Sequence, residues 1–377
     1  MKNSMTRLAV SVSALCLFCM PSMAQKPSAA DSILLKDYRP VSIFNVPVTN
    51  VEKPKYPVID MHTHDYVRTK EAVDSVVAIM DDCGIEQAHI MQCNWISDTY
   101  DIVAERYAAY PDRFKLWFCL DYTDFDSPDW TERAIAQVEK YHEMGAVGIG
   151  EMVDKGLGDV YASPVEGKGI RLNDPKLIPV LKRCGELGLL INIHIAEPIW
   201  MYEPIDNHND GLMNGANWQV DTTVEGCLGY NGLMDMFEEA LYACPDTKIV
   251  ACHLLNMSHD YPRLGAIMDR HPNLYLDISA RFGESSVTPR ATRAFIEKYQ
   301  DRILYGTDNT PSREMFRSTF RLMETADEHI YDGESYHWSY YGWDLPDSVL
   351  EKVYRTNALK LLSGLKPVSM TTGGGDK

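Results

Sequence analysis

The sequence is short of positive charge and of long apolar runs. Its 377 residues include 36 lysines and arginines against 54 aspartates and glutamates, a net charge of −18. Such an acidic surface repels phosphate backbones and anionic headgroups, so nucleic acid and anionic membranes are poor partners. The apolar stretch 8–20 is too short to span a bilayer as a helix. Stable membrane insertion is therefore not expected.

The segment 1–24 has the pattern of a secretory signal. Lys2 and Arg7 come first, the apolar stretch follows, and Ser-Met-Ala at 22–24 gives a small-x-small cleavage site before Gln25. We therefore expect an exported protein, periplasmic or secreted after cleavage. Cleavage removes two basic residues and no acidic one, which leaves 34 − 54 = −20 as the net charge.

Cysteine offers no disulfide framework. Seven cysteines follow the signal, an odd number without regular spacing, and Cys93, Cys119 and Cys252 lie in or beside apolar runs. Buried thiols are expected at these positions, although export would permit a disulfide bridge.

Apolar runs alternate with helical patterns from residue 58 onward. Several of the runs are nearly all apolar, which indicates a parallel sheet covered on both faces. Several helical patterns end at Gly or Pro. The predicted strands are 58–64, 87–92, 114–121, 146–153, 189–198, 248–254, 273–279 and 303–309, and the predicted helices include 69–83, 130–144, 174–187, 231–243, 261–270 and 288–299.

Ligand-type residues end four of the predicted strands. His62 and His64 end the first, and alternate residues of a strand point to one face, so their imidazoles would lie side by side. His194, His253 and Asp308 end the fifth, sixth and eighth apolar runs. The C-terminal ends of the strands are where barrel enzymes carry their chemistry.

This distribution predicts an α/β fold, a (β/α)8 TIM barrel. The alternative is an open doubly wound sheet, but no Gly-x-Gly-x-x-Gly follows the first strand. Ends of strands 1, 5, 6 and 8 lie far apart in an open sheet, whereas a closed barrel brings them to one mouth.

The remaining segments flank or interrupt the barrel. Residues 25–57, rich in proline and valine and without a helical period, predict an N-terminal arm. The barrel is assigned to 58–366 and a flexible C-terminal tail to 367–377. Residues 199–246 form the longest connection, a loop between strands 5 and 6, and are interpreted either as a surface insertion or as a substrate wall that includes Trp200.

Imidazole and carboxylate together suit a divalent transition metal better than calcium. A divalent ion lowers the pKa of its water to around 7 and so supplies a nucleophile at neutral pH. His62, His64, His194 and Asp308 could form the ligand set, and Asp308 could also take a proton from the attacking water. His253 could polarise the scissile group or donate a proton.

Several motifs are specific in combination. They are Tyr56-Pro57-Val58-Ile59-Asp60-Met61-His62-Thr63-His64, Asn173-Asp174-Pro175, Ile193-His194-Ile195-Ala196-Glu197-Pro198, Ala251-Cys252-His253-Leu254, Leu304-Tyr305-Gly306-Thr307-Asp308, Leu345-Pro346 and Asn357-Ala358. Together they resemble the amidohydrolase superfamily, and more narrowly its amidohydrolase-related family of barrel hydrolases and decarboxylases. The resemblance covers nearly the whole mature chain. It implies His62, His64, His194 and Asp308 as metal ligands, with zinc expected, and His253 as an active-site residue.

Glu151 leaves the number of metal ions open. It ends Gly148-Ile149-Gly150-Glu151 at the fourth strand, where some members of the superfamily place a metal-bridging carboxylate or carboxylated lysine. Glu151 would then bind a second ion together with His253. The alternative is a hydrogen-bonded structural or substrate-facing carboxylate. We expect one ion, because the resemblance is closer to mononuclear members.

Two cations near strand ends are candidates for binding substrate. Lys155 follows the fourth strand and Arg281 the seventh, and either could clamp a substrate carboxylate, arginine being suited to bidentate contact. Each could equally be an exposed loop cation or part of a structural ion pair.

The leading hypothesis is an exported metal-dependent hydrolase that acts on an amide, ester or lactone bond of a small molecule. The main alternative is a non-oxidative decarboxylase, because the related family contains both chemistries on the same metal ligands. An inactive binding barrel is disfavoured, since every expected ligand position is filled.

We expect the mature chain to begin at Gln25, because the small-x-small site ends at Ala24. The intact mass of protein recovered from the periplasm or the medium tests this. A mass that includes residues 1–24 would contradict it.

Overall fold

A computed structural model describes residues 28–92, 98–159, 167–331 and 336–366. The signal segment 1–24, the tail 367–377 and Cys93 lie outside the described residues. The chain divides into two compact units, Met1–Tyr38 and Arg39–Lys377. The described part of the first unit contains two short 3-10 turns, Ala29–Ser32 and Leu35–Asp37.

Eight parallel strands form the sheet of the second unit, and strands adjacent in sequence are adjacent in the sheet. Met61 N–H donates to Tyr305 O at 2.9 Å and Thr307 N–H donates to His62 O at 3.1 Å, which joins the last strand to the first. The predicted (β/α)8 TIM barrel is confirmed. The strands are β1 Val58–His64, β2 Ile85–Met91, β3 Phe114–Phe118, β4 Gly148–Asp154, β5 Leu190–Ile195, β6 Ile249–Ala251, β7 Leu274–Asp277 and β8 Ile303–Leu304.

The helices follow the strands around the barrel. They are α1 Lys70–Cys83, α2 Tyr100–Tyr107, α3 Trp130–Glu143, α4 Ile178–Leu187, α5 Leu212–Trp218, α6 Tyr230–Ala243, α7 Tyr261–Arg270, α8 Phe282–Ser285, α9 Pro289–Lys298, α10 Arg313–Glu324, α11 Asp347–Glu351 and α12 Asn357–Leu362. None of the helices in the described part of the chain has the length and apolar character that a membrane crossing requires.

Caps and apolar faces explain why the helices start and stop where they do. In α1, the Thr69 hydroxyl accepts from Ala72 N–H, and Gly84 ends the helix at φ 74°. In α10, the Ser312 hydroxyl accepts from Met315 N–H. α10 was not predicted from the sequence, although one of its faces is buried, with Phe316, Phe320 and Met323 among its buried residues.

The last strands are shorter than predicted. β8 has two residues where seven were expected, and the chain adopts a positive φ of 52° four residues later, at Asp308. Tyr305 and Thr307 still form backbone hydrogen bonds to β1. The apolar run therefore continues past the point where regular strand pairing ends.

The apolar core has two layers. A smaller cluster draws residues from or beside all eight strands, among them Ile59, Trp117 and Leu304, and it includes Ala358 and Leu361 of α12. Side chains from every strand can meet only in the barrel interior. The larger cluster packs the helices against the outside of the sheet.

Two glycines allow the close approaches that the site requires. A Cβ on Gly150 would come within 2.9 Å of Asn192 Cβ and of Met91 Sδ. A Cβ on Gly306 would come within 2.9 Å of His62 Cβ. Gly306 therefore lets the end of β8 approach the first histidine of β1.

Residues 39–57 of the arm and the long loop both belong to the second unit. Thr49 donates its N–H and hydroxyl to the Asp327 carboxylate at 2.7 and 2.8 Å, which ties this part of the arm to the segment after α10. The connection between β5 and β6 contains α5 and then α6. All six cysteines in the described ranges are free thiols, with Cys119 and Cys252 buried.

His89 in β2 is expected to make the stability of the fold fall in mild acid. Its Nδ1 accepts from Trp117 Nε1–H at 3.0 Å, and burial lowers the pKa of His89 from 6.5 to about 3. Because the folded pKa lies below the unfolded one, the unfolded chain binds the proton first as pH falls. The stability contribution of neutral His89 is therefore complete above pH 6.5 and is lost between pH 6.5 and 3, about 2 kcal/mol of it by pH 5.

Urea unfolding of wild type and His89→Asn at pH 7 and pH 5 tests this, because asparagine keeps an acceptor for Trp117 and does not titrate. We expect the variant to lose less stability than wild type between the two pH values. Equal losses would contradict the assignment.

Candidate metal centre

The end of β1 presents two histidines to the barrel mouth. The His62 and His64 ring centroids are 5.3 Å apart, as the alternate spacing predicts. The buried Asp60 carboxylate fixes this strand end, because it accepts from His62 N–H at 3.1 Å and from the Thr307 hydroxyl at 2.7 Å. β1 and the end of β8 are thereby held together behind the histidines.

The middle of β4 and the C-terminal ends of β5, β6 and β8 bring the other predicted residues to the same place. Glu151 Oε1 lies 3.0 Å from His194 Nδ1 and 3.5 Å from His253 Nε2, while its Oε2 lies 3.4 Å from His64 Nε2. Asp308 Oδ1 lies 3.0 Å from His64 Nε2, and Oδ2 lies 3.7 Å from His253 Nε2. Glu151 is therefore in the middle of the histidine cluster.

Asp277 at the end of β7 orients two of these histidines. It is wholly buried, its Oδ2 lies 3.1 Å from His62 Nδ1, and its Oδ1 accepts from His253 N–H at 3.1 Å. His253 Nδ1 lies 2.9 Å from the Ser279 backbone oxygen. The Nε2 atoms of both rings are consequently the ones that face the cluster.

The cluster carries an excess of negative charge around His62. Burial acts to lower the pKa of His62, but the carboxylates of Asp277, Glu151 and Asp308 outweigh it and raise this pKa to about 9. Burial likewise acts to raise the pKa of Asp308, yet the hydrogen bond and charge of His64 hold it below its usual range. The position beside His62 therefore favours a positive charge.

The residues present fit a divalent transition metal. His62 Nε2 is buried and has no hydrogen-bond partner among the described residues, and it points toward Glu151 and Asp308 oxygens at 4.0 and 3.9 Å. Imidazole nitrogens and carboxylate oxygens are the donors such ions prefer. Three sets of potential ligand atoms lie within 4.8 Å of one another: His62, His64 and Glu151; His62, His253 and Asp308; and Glu151, His194, Cys252 and His253.

A cavity of about 580 Å³ opens beside the cluster. Asp308 and Arg281 belong to its wall, together with four aromatic side chains. Asp308 therefore connects the buried histidines with space for a small molecule. The aromatic lining residues are Trp218, Phe282, Tyr336 and Tyr340.

The three predicted substrate residues have different surroundings. Arg281 lines the cavity, and its Nε donates to Asn256 Oδ1 at 2.7 Å. Lys155 Nζ lies 2.5 Å from Glu197 Oε1, so it forms the structural ion pair that the sequence left open as an alternative to a substrate clamp. Trp200 packs 6.1 Å from Trp338 between ring centroids, whereas Trp218 of the same loop is the tryptophan in the cavity wall.

Three residues of the site were missed by sequence reasoning. Asp277 ends an apolar strand at the same barrel mouth as the predicted ligands, and that position was the signal for it. Glu197 follows His194 by three residues within a motif already singled out, and lies 3.5 Å from its Nε2. Cys252 Sγ lies 3.4 Å from Glu151 Oε1. A cysteine in an apolar run looks like any buried core residue, so the sequence did not indicate this contact.

Comparisons with known proteins give the family and the fold. A family profile described as Amidohydrolase matches residues 49–364. An uncharacterized TIM-barrel protein from Bordetella bronchiseptica is similar in structure at 17% identity, with a TM-score of 0.50 over 82% of this chain and 99% of that chain. The 2,6-dihydroxybenzoate decarboxylase from Rhizobium is 16% identical, with a TM-score of 0.51 over 84% of this chain and 99% of that chain.

A third similar structure contains a metal. The dihydroxybenzoic acid decarboxylase from Polaromonas sp. JS666, with bound manganese and the inhibitor 2-nitroresorcinol, is 16% identical, with a TM-score of 0.51 over 86% of this chain and 100% of that chain. At such identities these structures show the shared fold alone. No curated protein matches the sequence.

Glu151 allows the number of ions to be tested. Its two oxygens face different histidines, which fits a bridge between two ions as well as a hydrogen-bonded carboxylate. We expect one tightly bound ion in wild type and in Glu151→Gln, because His62, His64, His194 and Asp308 remain. Metal titration of the two apoproteins measures this. Two ions in wild type and one in the variant would contradict it.

Proposed function

The chain belongs to the amidohydrolase family, and on that basis we propose that it is a metal-dependent hydrolase of small molecules. The bond it would cleave is an amide, an ester or a lactone. The observation that carries this proposal is the position of Asp308. Its side chain is 23% exposed and lines the cavity, whereas the His62 side chain is wholly buried.

Asp308 is suited to move a proton between the cavity and the cluster. Its Oδ1 contacts His64 Nε2 at 3.0 Å, and its Oδ2 lies 3.7 Å from His253 Nε2. A carboxylate that lines the cavity and lies beside two imidazoles can take a proton from an attacking water. Neutral His253 can receive that proton at Nε2, which lies 3.7 Å from Asp308 Oδ2, and release it to the leaving group.

We propose His62, His64, His194 and Asp308 as the ligands of the metal and zinc as the ion. A divalent ion at this place would polarise the scissile group and make water more acidic. Asp277 holds the His62 ring from behind, since its Oδ2 lies 3.1 Å from Nδ1. The manganese in the Polaromonas decarboxylase makes manganese the first alternative to zinc.

His253 is proposed as a catalytic residue outside the first set of ligands. Its Nδ1 lies 2.9 Å from the Ser279 backbone oxygen, so this nitrogen can donate to the carbonyl and leave Nε2 as an acceptor. Burial, with the charge of His194 acting in the same direction, lowers the pKa of His253. His253 is therefore neutral at neutral pH, with a lone pair at Nε2.

A non-oxidative decarboxylase is a second candidate, and the cavity wall favours it. Arg281 offers a guanidinium next to aromatic side chains, a combination that suits an aromatic carboxylate. Two of the similar structures are decarboxylases of dihydroxybenzoates. The same metal ligands serve either chemistry, so the products must decide between them.

Turnover in ¹⁸O-labelled water tests the proposal. Lactones, esters, amides and aromatic carboxylates are offered to the metal-loaded protein, and labelled carboxylate and released carbon dioxide are measured. We expect ¹⁸O in the product. Carbon dioxide without solvent oxygen in the organic product would support the decarboxylase instead, and a purified protein without metal or turnover would support the inactive binding barrel.

In the same assay, His253→Ala is expected to lower turnover by about 10²- to 10⁴-fold, the usual contribution of a general acid or base. Its metal content should stay close to that of wild type. Turnover near the wild-type rate would contradict the catalytic role, and loss of all metal would make His253 a ligand.

The proposed setting is outside the cytoplasm, supported by the signal pattern of residues 1–24. The partner is a small-molecule substrate. The net charge of −18 makes nucleic acid an unsuitable partner.

A further inference from the structure

His194 and His62 present opposite ring nitrogens to the cluster. His62 turns Nε2 inward and keeps Nδ1 for Asp277. His194 turns Nδ1 inward, 3.0 Å from Glu151 Oε1 and 3.1 Å from His253 Nε2. Its Nε2 points away from the cluster and lies 3.5 Å from Glu197 Oε2. Each ring therefore has at least one carboxylate in front of it and another behind it.

Glu197 is itself firmly held. It is 5% exposed, and its N–H donates to the Tyr202 hydroxyl oxygen at 3.0 Å. Its Oε1 pairs with Lys155 Nζ at 2.5 Å, and its Oε2 lies 3.7 Å from Arg281 Nη2. Two cations thus keep this buried carboxylate charged and in place.

The His194 Nε2 atom is buried and makes no hydrogen bond within the described ranges. A buried ring nitrogen without a partner is costly, and the Glu197 oxygen at 3.5 Å is close enough to become one after a shift of a few tenths of an ångström. A proton on Nε2 that is donated to Glu197 leaves the Nδ1 lone pair facing Glu151 and His253. Metal-binding histidines commonly have such a carboxylate behind the ring.

We propose that Glu197 is a positioning residue that fixes the His194 ring so that Nδ1, and not Nε2, is the metal-binding nitrogen. This inference rests on the proposed metal centre. It also gives Lys155 a role different from the substrate clamp suggested by its place in the sequence. Lys155 forms an ion pair with Glu197, and Glu197 positions the His194 ring.

The test compares the Zn²⁺ affinity of apoprotein variants by competition with a chromophoric chelator. Glu197→Ala removes the acceptor behind the ring, and we expect its dissociation constant to rise by about 10- to 100-fold. Glu197→Gln keeps an oxygen acceptor without the charge, so its affinity should lie between those of Glu197→Ala and wild type. Asp327→Asn is the matched control, since Asp327 is also a buried carboxylate paired with an arginine, Arg321, at 2.7 Å.

Urea unfolding of each apoprotein separates metal binding from folding. We expect Asp327→Asn to lose stability but keep wild-type Zn²⁺ affinity. Wild-type affinity in Glu197→Ala, or an equal loss in Asp327→Asn, would overturn the inference. A wild-type protein that binds no Zn²⁺ would instead overturn the proposed metal centre itself.

A spectroscopic readout covers the case in which Glu197→Ala does not fold. Long-range ¹H–¹⁵N spectra of histidine-labelled wild type, with and without Zn²⁺, report which ring nitrogen carries the proton. We expect His194 to be protonated at Nε2 and its Nδ1 resonance to move when Zn²⁺ binds. Protonation at Nδ1 in the zinc-loaded protein would overturn the inference.

Discussion

The buried carboxylate of Asp277 is the interaction on which the geometry of the histidine cluster depends. A wholly buried charge costs several kcal/mol unless other groups surround it, and here those groups come from three strand ends. Asp277 contacts the His62 ring from β1 and accepts from the His253 backbone after β6 and from the Ser279 backbone, each at 3.1 Å. The groups that surround the Asp277 carboxylate are therefore fixed by it: the direction of the His62 ring and the position of the His253 backbone. His253 adopts φ 61° in the process, a conformation that the surrounding contacts must support.

Four carboxylates surround these histidines, two at the centre of the cluster and two behind the rings. Glu151 and Asp308 face the centre of the cluster, within 3.0 Å of His194 and His64 respectively. Asp277 and Glu197 lie behind the His62 and His194 rings. The inner pair supplies negative charge where a cation would bind, and the outer pair holds the imidazoles that would share it. Asp308 alone of these four also lines the cavity, which links binding of a small molecule to the cluster.

The barrel, and the presence of histidines and carboxylates at its mouth, could be predicted because both follow from local pattern. The apolar runs that end in His62, His64, His194 and Asp308 lead to one mouth if the strands close into a barrel. The strands do close. Contacts between side chains of different loops could not be predicted in this way. Lys155 was as consistent with a substrate clamp as with its ion pair to Glu197, because strand alternation does not fix the distance between neighbouring loops. The sequence could not show that Trp218, and not Trp200, lines the cavity. The fold of the long loop decides which side chain turns inward.

The central claim is that this cluster is a metal centre, and anomalous X-ray diffraction from metal-loaded crystals tests it most directly. Data collected on either side of the absorption edge of zinc locate the ion and identify it. We expect a strong anomalous peak bounded by His62 Nε2, His64, His194 Nδ1 and Asp308. Crystals saturated with metal that show no peak among these atoms, or show one only at the protein surface, would contradict it.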